Sequence, residues 1–141
     1  METSDVRRRV VETIDRARRS AADRRERTDQ ASREYAVFLE QVATPLFRQV
    51  ANALKANAYH FTVFTPGGSV RLMSDRQAQD FVELSLDTSG EQPAVVGHTS
   101  RSRGSRVLET EQPIGSGPVR DLTEEDVLRF LLAGLAPLLE R

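Results

Sequence analysis

The first forty-three residues carry a seam at alternating steps of four and three: Val10, Ile14, Ala17, Ala21, Arg24, Thr28, Ala31, Tyr35, Phe38 and Val42. That is heptad spacing, the mark of a helix with one stripe turned toward another helix. The stretch contains no Gly or Pro, and five acids stand four residues before an arginine: Asp5/Arg9, Glu12/Arg16, Asp15/Arg19, Asp23/Arg27 and Asp29/Arg33. In that orientation each intrahelical pair adds about 0.2–0.5 kcal/mol. One long helix is predicted, roughly 60 Å at ~1.5 Å per residue, longer than a small domain can cover. Its seam predicts a homo-oligomer interface, most simply a dimer, through Val10, Ile14, Ala17, Ala21, Ala31, Tyr35, Phe38 and Val42. The seam is thin in the middle and richer at Tyr35, Phe38 and Val42, so burial should grow toward that end. The flanking residues leave parallel and antiparallel pairing open. The alternative is a solvated helix that docks on its own domain only through its last two turns.

Thr44-Pro45 reads as an N-cap followed by proline at the first helical position, so the helix should kink or restart there. Leu46, Phe47, Val50, Ala51, Leu54 and Ala58 give the restarted segment an apolar face. From Tyr59 the period changes to that of strands. Five are predicted: 59–65, 69–74, 79–87, 94–101 and 106–114, with Pro66-Gly67-Gly68, Thr88-Ser89-Gly90 and Ser102–Ser105 between them. Short connections favour an antiparallel meander. In the third strand Val82, Leu84 and Leu86 share one face, and Phe81, Glu83, Ser85 and Asp87 the other. Thr123-Glu124-Glu125-Asp126 resembles a capping box, with Leu122 and Val127 as its staple, and opens a helix to about Leu139. Ten of its thirteen residues from Val127 to Leu139 are apolar, so it must pack on the sheet and also meet the 45–58 helix or a second protomer. The expected class is α+β, divided into an extended coiled-coil-like segment, 1–43, and a globular domain, 44–141.

Composition narrows the chemistry. The chain has 141 residues, 38% hydrophobic and 29% charged, with no cysteine. That length suits one globular domain. Zero Cys excludes disulfide frameworks, thiolate zinc sites, iron–sulfur clusters and cysteine nucleophiles. The N-terminal arginines precede no apolar run of signal-peptide length, and no stretch reaches a membrane span, which points to a cytoplasmic protein with no membrane partner. Residues 1–43 hold ten Arg and nine acids, so the arginine-rich helix lacks the surplus charge that tracking phosphates requires. With no Trp and two Tyr for base stacking, nucleic acid is an unlikely partner.

Two histidines, His60 and His98, belong to no metal-ligand spacing, and no nucleophile elbow, phosphate loop or dinucleotide fingerprint occurs. No metal or cofactor is implied. If the fourth and fifth strands pair across Ser102–Ser105, Arg101 faces Arg106 and His98 faces Glu109. The second pair is either a base with its orienter or a cross-strand pair that only steadies the hairpin. The segment 98–106 has three arginines, four hydroxyl side chains and no acid. Arg101, Arg103 and Arg106, with Arg71 and His98 on the sheet's polar face, form a candidate anion site. A solvated loop of the same composition is the plainer reading. The helix–sheet–helix order is similar to that of small dimeric secretion chaperones, although no motif carries the comparison and no residue is transferred from it. The expected function is a non-catalytic homo-oligomeric interaction module, adaptor- or chaperone-like. The alternatives are an anionic-ligand domain and, less favoured, an enzyme using His98 and Glu109.

Overall fold

The computed structural model describes residues 1–140. Helix α1, Thr3–Phe38, runs without a break into a π-helical turn, Leu39–Ala43, and then into α2, Thr44–Ala56. Proline at 45 causes that turn. Its ring has no N–H, and in a regular α-helix it would collide with the carbonyl of Gln41. Widening the preceding turn relieves this, and the Thr44 N–H reaches back five residues to the Leu39 carbonyl. Thr44 is therefore helical, at φ −63° and ψ −46°, and is not the N-cap that the sequence suggested. The extra residue also shifts the helical phase. The apolar stripe through Phe38 and Val42 continues at Leu46, Phe47, Val50 and Leu54 rather than at Pro45, Gln49 and Asn52, where an uninterrupted seam would fall.

The sheet is a five-stranded antiparallel meander in the order β1 (Phe61–Phe64), β2 (Val70–Ser74), β3 (Phe81–Asp87), β4 (Ala94–Arg103), β5 (Arg106–Pro113). All helices lie on one face, α2 over β1 and β2, and α3 (Glu124–Leu139) over β3 and β4. Val70, Leu72, Val82 and Leu84, which alternate along their strands, meet Phe47, Leu131 and Val127 in a fully buried core. Gly97 of β4 faces Phe130 of α3, and a Cβ there would lie 2.3 Å from the ring, so only glycine admits the helix. The capping box forms as expected. Thr123 Oγ1 accepts from the Asp126 N–H and Asp126 Oδ2 from the Thr123 N–H, each at 3.1 Å.

Three expectations need correction. The β4–β5 connection is the two-residue turn Gly104-Ser105 and not Ser102–Ser105; Gly104 has φ +64°, the left-handed value a tight hairpin needs at its first turn position. Arg103 thus faces Arg106, Arg101 faces Leu108 and His98 faces Glu111, a slip of two residues that leaves every side chain on its predicted face. None of the five expected i,i+4 pairs of α1 forms an ion pair. Arg8 instead bridges Asp5 at 3.2 Å and Glu12 at 3.9 Å, since exposed side chains choose among near-equal partners. Finally, α3 is covered by the sheet and the π-helical turn, leaving Leu132 as its one strongly exposed large apolar residue.

Candidate interaction site

The seam of α1 divides into two lengths. Ala31 and Tyr35, at 8% and 5% exposure, pack into the chain's own core, and the Tyr35 hydroxyl donates to the Leu84 carbonyl at 3.3 Å. Burial pushes that hydroxyl's pKa well above the ordinary 10.0, and the negative charge of Glu83 adds to the shift. Phe38 and Val42 are half-buried. Toward the other end, Ala21 is half-buried, Ala17 exposed, and Val10 and Ile14 keep 50% and 43% of their surface in solvent. Val6 and Val10 lie with Ile14, Thr13 and Met1 around one shallow apolar depression at the helix tip. Residues 3–27 thus form an arm, roughly 37 Å long at ~1.5 Å per residue, that stands clear of the body. At the fork between arm and body is a cleft of ≈ 890 Å³, with Asp23, Glu26 and Gln30 on one wall and Pro93, Pro118 and Arg120 on the other.

The open face of the sheet carries a polar cluster centred on Phe81. The guanidinium of Arg71 lies 3.9 Å from the Phe81 ring centroid, and His98 meets the same ring edge-on at 5.3 Å. Arg71 Nε donates to Glu83 Oε1 at 3.1 Å, and Ser69 Oγ stands 3.2 Å from the same oxygen. His98 lies between two carboxylates, Nδ1 4.0 Å from Glu83 and Nε2 3.6 Å from Glu109. Cross-strand pairing explains the grouping, because Arg71 faces Glu83 and Glu83 faces His98. The cluster shields an aromatic ring on the uncovered side of the sheet, a cation–π and edge-to-face arrangement. His98 is half-buried and Glu109 exposed, with side chains 31% and 58% exposed.

The five arginine-hairpin candidates do not converge. Arg71 and His98 are on the open face, engaged with Glu83, whereas Arg101 and Arg103 have the opposite parity along β4 and point to the helix-bearing side. There Arg101 and Arg103 line a cleft with Gln77, Pro137 and Glu140 at the end of α3. The last turn of α3 contains no basic residue of its own. Arg106 faces Arg103 at the exposed tip. Between the two faces, Asp80 is buried and accepts from the Ser102 N–H at 2.7 Å, fixing the hairpin to the β2–β3 connection. Asp80 escaped the sequence reading because nothing in its local pattern distinguishes a buried acceptor from a solvated turn acid.

Among the described residues, no helix is long and apolar enough to cross a membrane. No family model, curated protein or solved structure matches this chain.

Proposed function

We propose that the chain is a homodimeric protein-interaction module, joined through the arm of α1 and leaving its open sheet face free for another protein. One observation carries this reading: the apolar stripe Val6, Val10 and Ile14 stands in solvent on a helix that the body supports only from Thr28 onward. A lone amphipathic stripe of this kind gains its stability by meeting another helix. The anion-binding alternative is narrowed to the hairpin arginines Arg101, Arg103 and Arg106, which share the helix-bearing face, while Arg71 and His98 lie on the other face with Glu83. The catalytic reading of His98 and Glu109 loses support because solvent reaches both side chains.

Sedimentation equilibrium at tens of micromolar tests the proposal. The expected mass is twice the 15.8 kDa of one chain. Joint substitution of Val10→Asp and Ile14→Asp should return the monomer mass while the body keeps its unfolding midpoint. A wild-type chain that remains monomeric at that concentration with a folded spectrum overturns the reading.

A further inference from the structure

The arm offers a stripe for pairing, and the position of the body decides the direction in which a second copy can use it. The seam stripe that is free at Val10 and Ile14 becomes, at Ala31 and Tyr35, the stripe docked in the core. A heptad stripe drifts ~20° per heptad on a straight helix, roughly 60° over the three heptads from Val10 to Ala31, so arm and docked length still face the same half of the helix. Two arms in parallel would bring both bodies into the space between the helices from Ala31 onward, where the seam should still be closing. Antiparallel arms place the bodies at opposite ends. We infer that two copies of this chain pair antiparallel through residues 3–28, each arm reaching the fork of its partner; this rests on the homodimer reading above.

Side-chain size fixes the register. Ile14 against the partner's Ala17, and Val10 against the partner's Ala21, opposes a branched residue to a small one in all four central layers. Large-against-small layers keep the helix spacing uniform and leave few voids. A parallel pair would set Ala17 on Ala17 and Ala21 on Ala21 beside Val10 on Val10 and Ile14 on Ile14, so the spacing could suit only half of the layers. The same antiparallel register places Thr3 beside the partner's Thr28, the last layer before the docked length begins at Ala31. At the flanks it brings the exposed Val6 near the partner's Arg27 and the exposed Val11 near the partner's Arg18. The methylene stems of those arginines cover the valines while the guanidiniums stay in water. Met1 then arrives level with the partner's Gln30, which lines the fork cleft. Arg7 against the partner's Arg24 forms the two adverse layers, one on each side of the centre. It does not discriminate, because a parallel pair would set each of these arginines on its own copy.

Charge favours the same direction. Within the paired length, residues 3–15 hold three Arg and three acids, whereas residues 16–28 hold six Arg and two acids. Antiparallel pairing lays the positive half along a neutral one, and parallel pairing lays positive on positive.

The chain has no cysteine, so introduced thiols report only on the proposed contact. Val10→Cys and Ala21→Cys combined in one chain lie roughly 16 Å apart at ~1.5 Å per residue, too far for a disulfide within the chain, which needs Cα atoms within about 7 Å. Under mild oxidation the double variant should become a covalent dimer, and neither single variant should. Efficient cross-linking by Val10→Cys alone would establish parallel arms and overturn the inference. A double variant that sediments as a dimer but does not cross-link would overturn the antiparallel register and leave the homodimer standing. A monomer in sedimentation would overturn both.

Discussion

Two lengths of one helical run, residues 3–27 and residues 28–56, each carry an apolar stripe and meet opposite fates. The first stands in solvent with Val10 and Ile14 half exposed, and the second is pressed into the core through Ala31, Tyr35, Ala43, Leu46 and Phe47. Helix formation does not distinguish them, since both are helical, the second with one π-helical turn at Leu39–Ala43. The difference lies in what the stripe is made of after Thr28 and in the phase shift at Pro45. Aromatic and branched residues provide enough buried area to hold the sheet, and the π-helical turn keeps them facing it. A heptad pattern therefore shows that a stripe will be used without showing whether its own chain or another will use it.

The sharpest test of this contrast is a pair of truncations of similar chemistry. Phe47 is fully buried beneath the sheet. Phe47→Ala should cost about 3–5 kcal/mol, the transfer term plus the cavity left behind. Ile14→Ala, measured in solution dilute enough to keep the chain monomeric, should change stability by less than about 0.5 kcal/mol, as surface substitutions do. Urea denaturation reads both. Comparable losses at the two sites would mean that the arm is packed in the monomer, and the distinction between the two lengths would fail.

The order of elements was legible in the sequence because each follows from a local signal. The heptad seam, the Pro-Gly-Gly turn, the alternation in Val82, Leu84 and Leu86 and the capping box at Thr123 all led to the elements observed. What was not legible depended on competition between near-equal local choices. Gly104-Ser105 and Ser102–Ser105 are both acceptable turns, and choosing between them moved the partner of His98 from Glu109 to Glu111. Glu109 still approaches His98, because a two-residue slip keeps it on the same face as a diagonal neighbour. The anion candidates divide for a related reason: neighbours in sequence alternate across a strand, so Arg101 and Arg103, with Arg106 opposite Arg103, lie on the face away from His98. Of the seam residues expected at an oligomer interface, Ala31 and Tyr35 instead pack into the chain's own core, and the split at Thr28 is a property of the tertiary fold, which no local pattern encodes.

Tyr35 gives a smaller effect with a pH signature. Its hydroxyl is buried and donates to the Leu84 carbonyl, so Tyr35→Phe should lose about 0.5–1.5 kcal/mol at neutral pH. In the folded chain burial, aided by Glu83, holds the phenol protonated beyond the ordinary 10.0, while in the unfolded chain it ionises there. The unfolded state then binds fewer protons than the folded one, and stability falls as pH rises. The contribution is complete below about pH 10 and declines above it. Tyr35→Phe should flatten that alkaline decline, which a series of urea melts between neutral and strongly alkaline pH would show. An identical slope in both proteins would mean that Tyr35 is not held in the core, and the docked length would begin later than Ala31.

The smallest effect belongs to the arm and sharpens the comparison from the other side. Arg8 lies between Asp5 and Glu12, with its side chain 63% exposed, so its ion pairs act in water and are weak. Arg8→Gln should cost no more than about 0.2–0.5 kcal/mol per pair lost. Because the arm has little tertiary packing, even this small loss should appear as faster amide exchange across its first turns, while the core strands β2 and β3 exchange unchanged. Salt near molar concentration should erase the difference, since the Debye length then falls to about 3 Å. Slower exchange throughout the arm at concentrations where the chain dimerises would show helix pairing supplying the stability that the ion pairs alone do not. If Arg8→Gln instead shifted the exchange of β2 and β3, arm and body would unfold as one unit, and the two lengths of the helix would differ in exposure but not in stability.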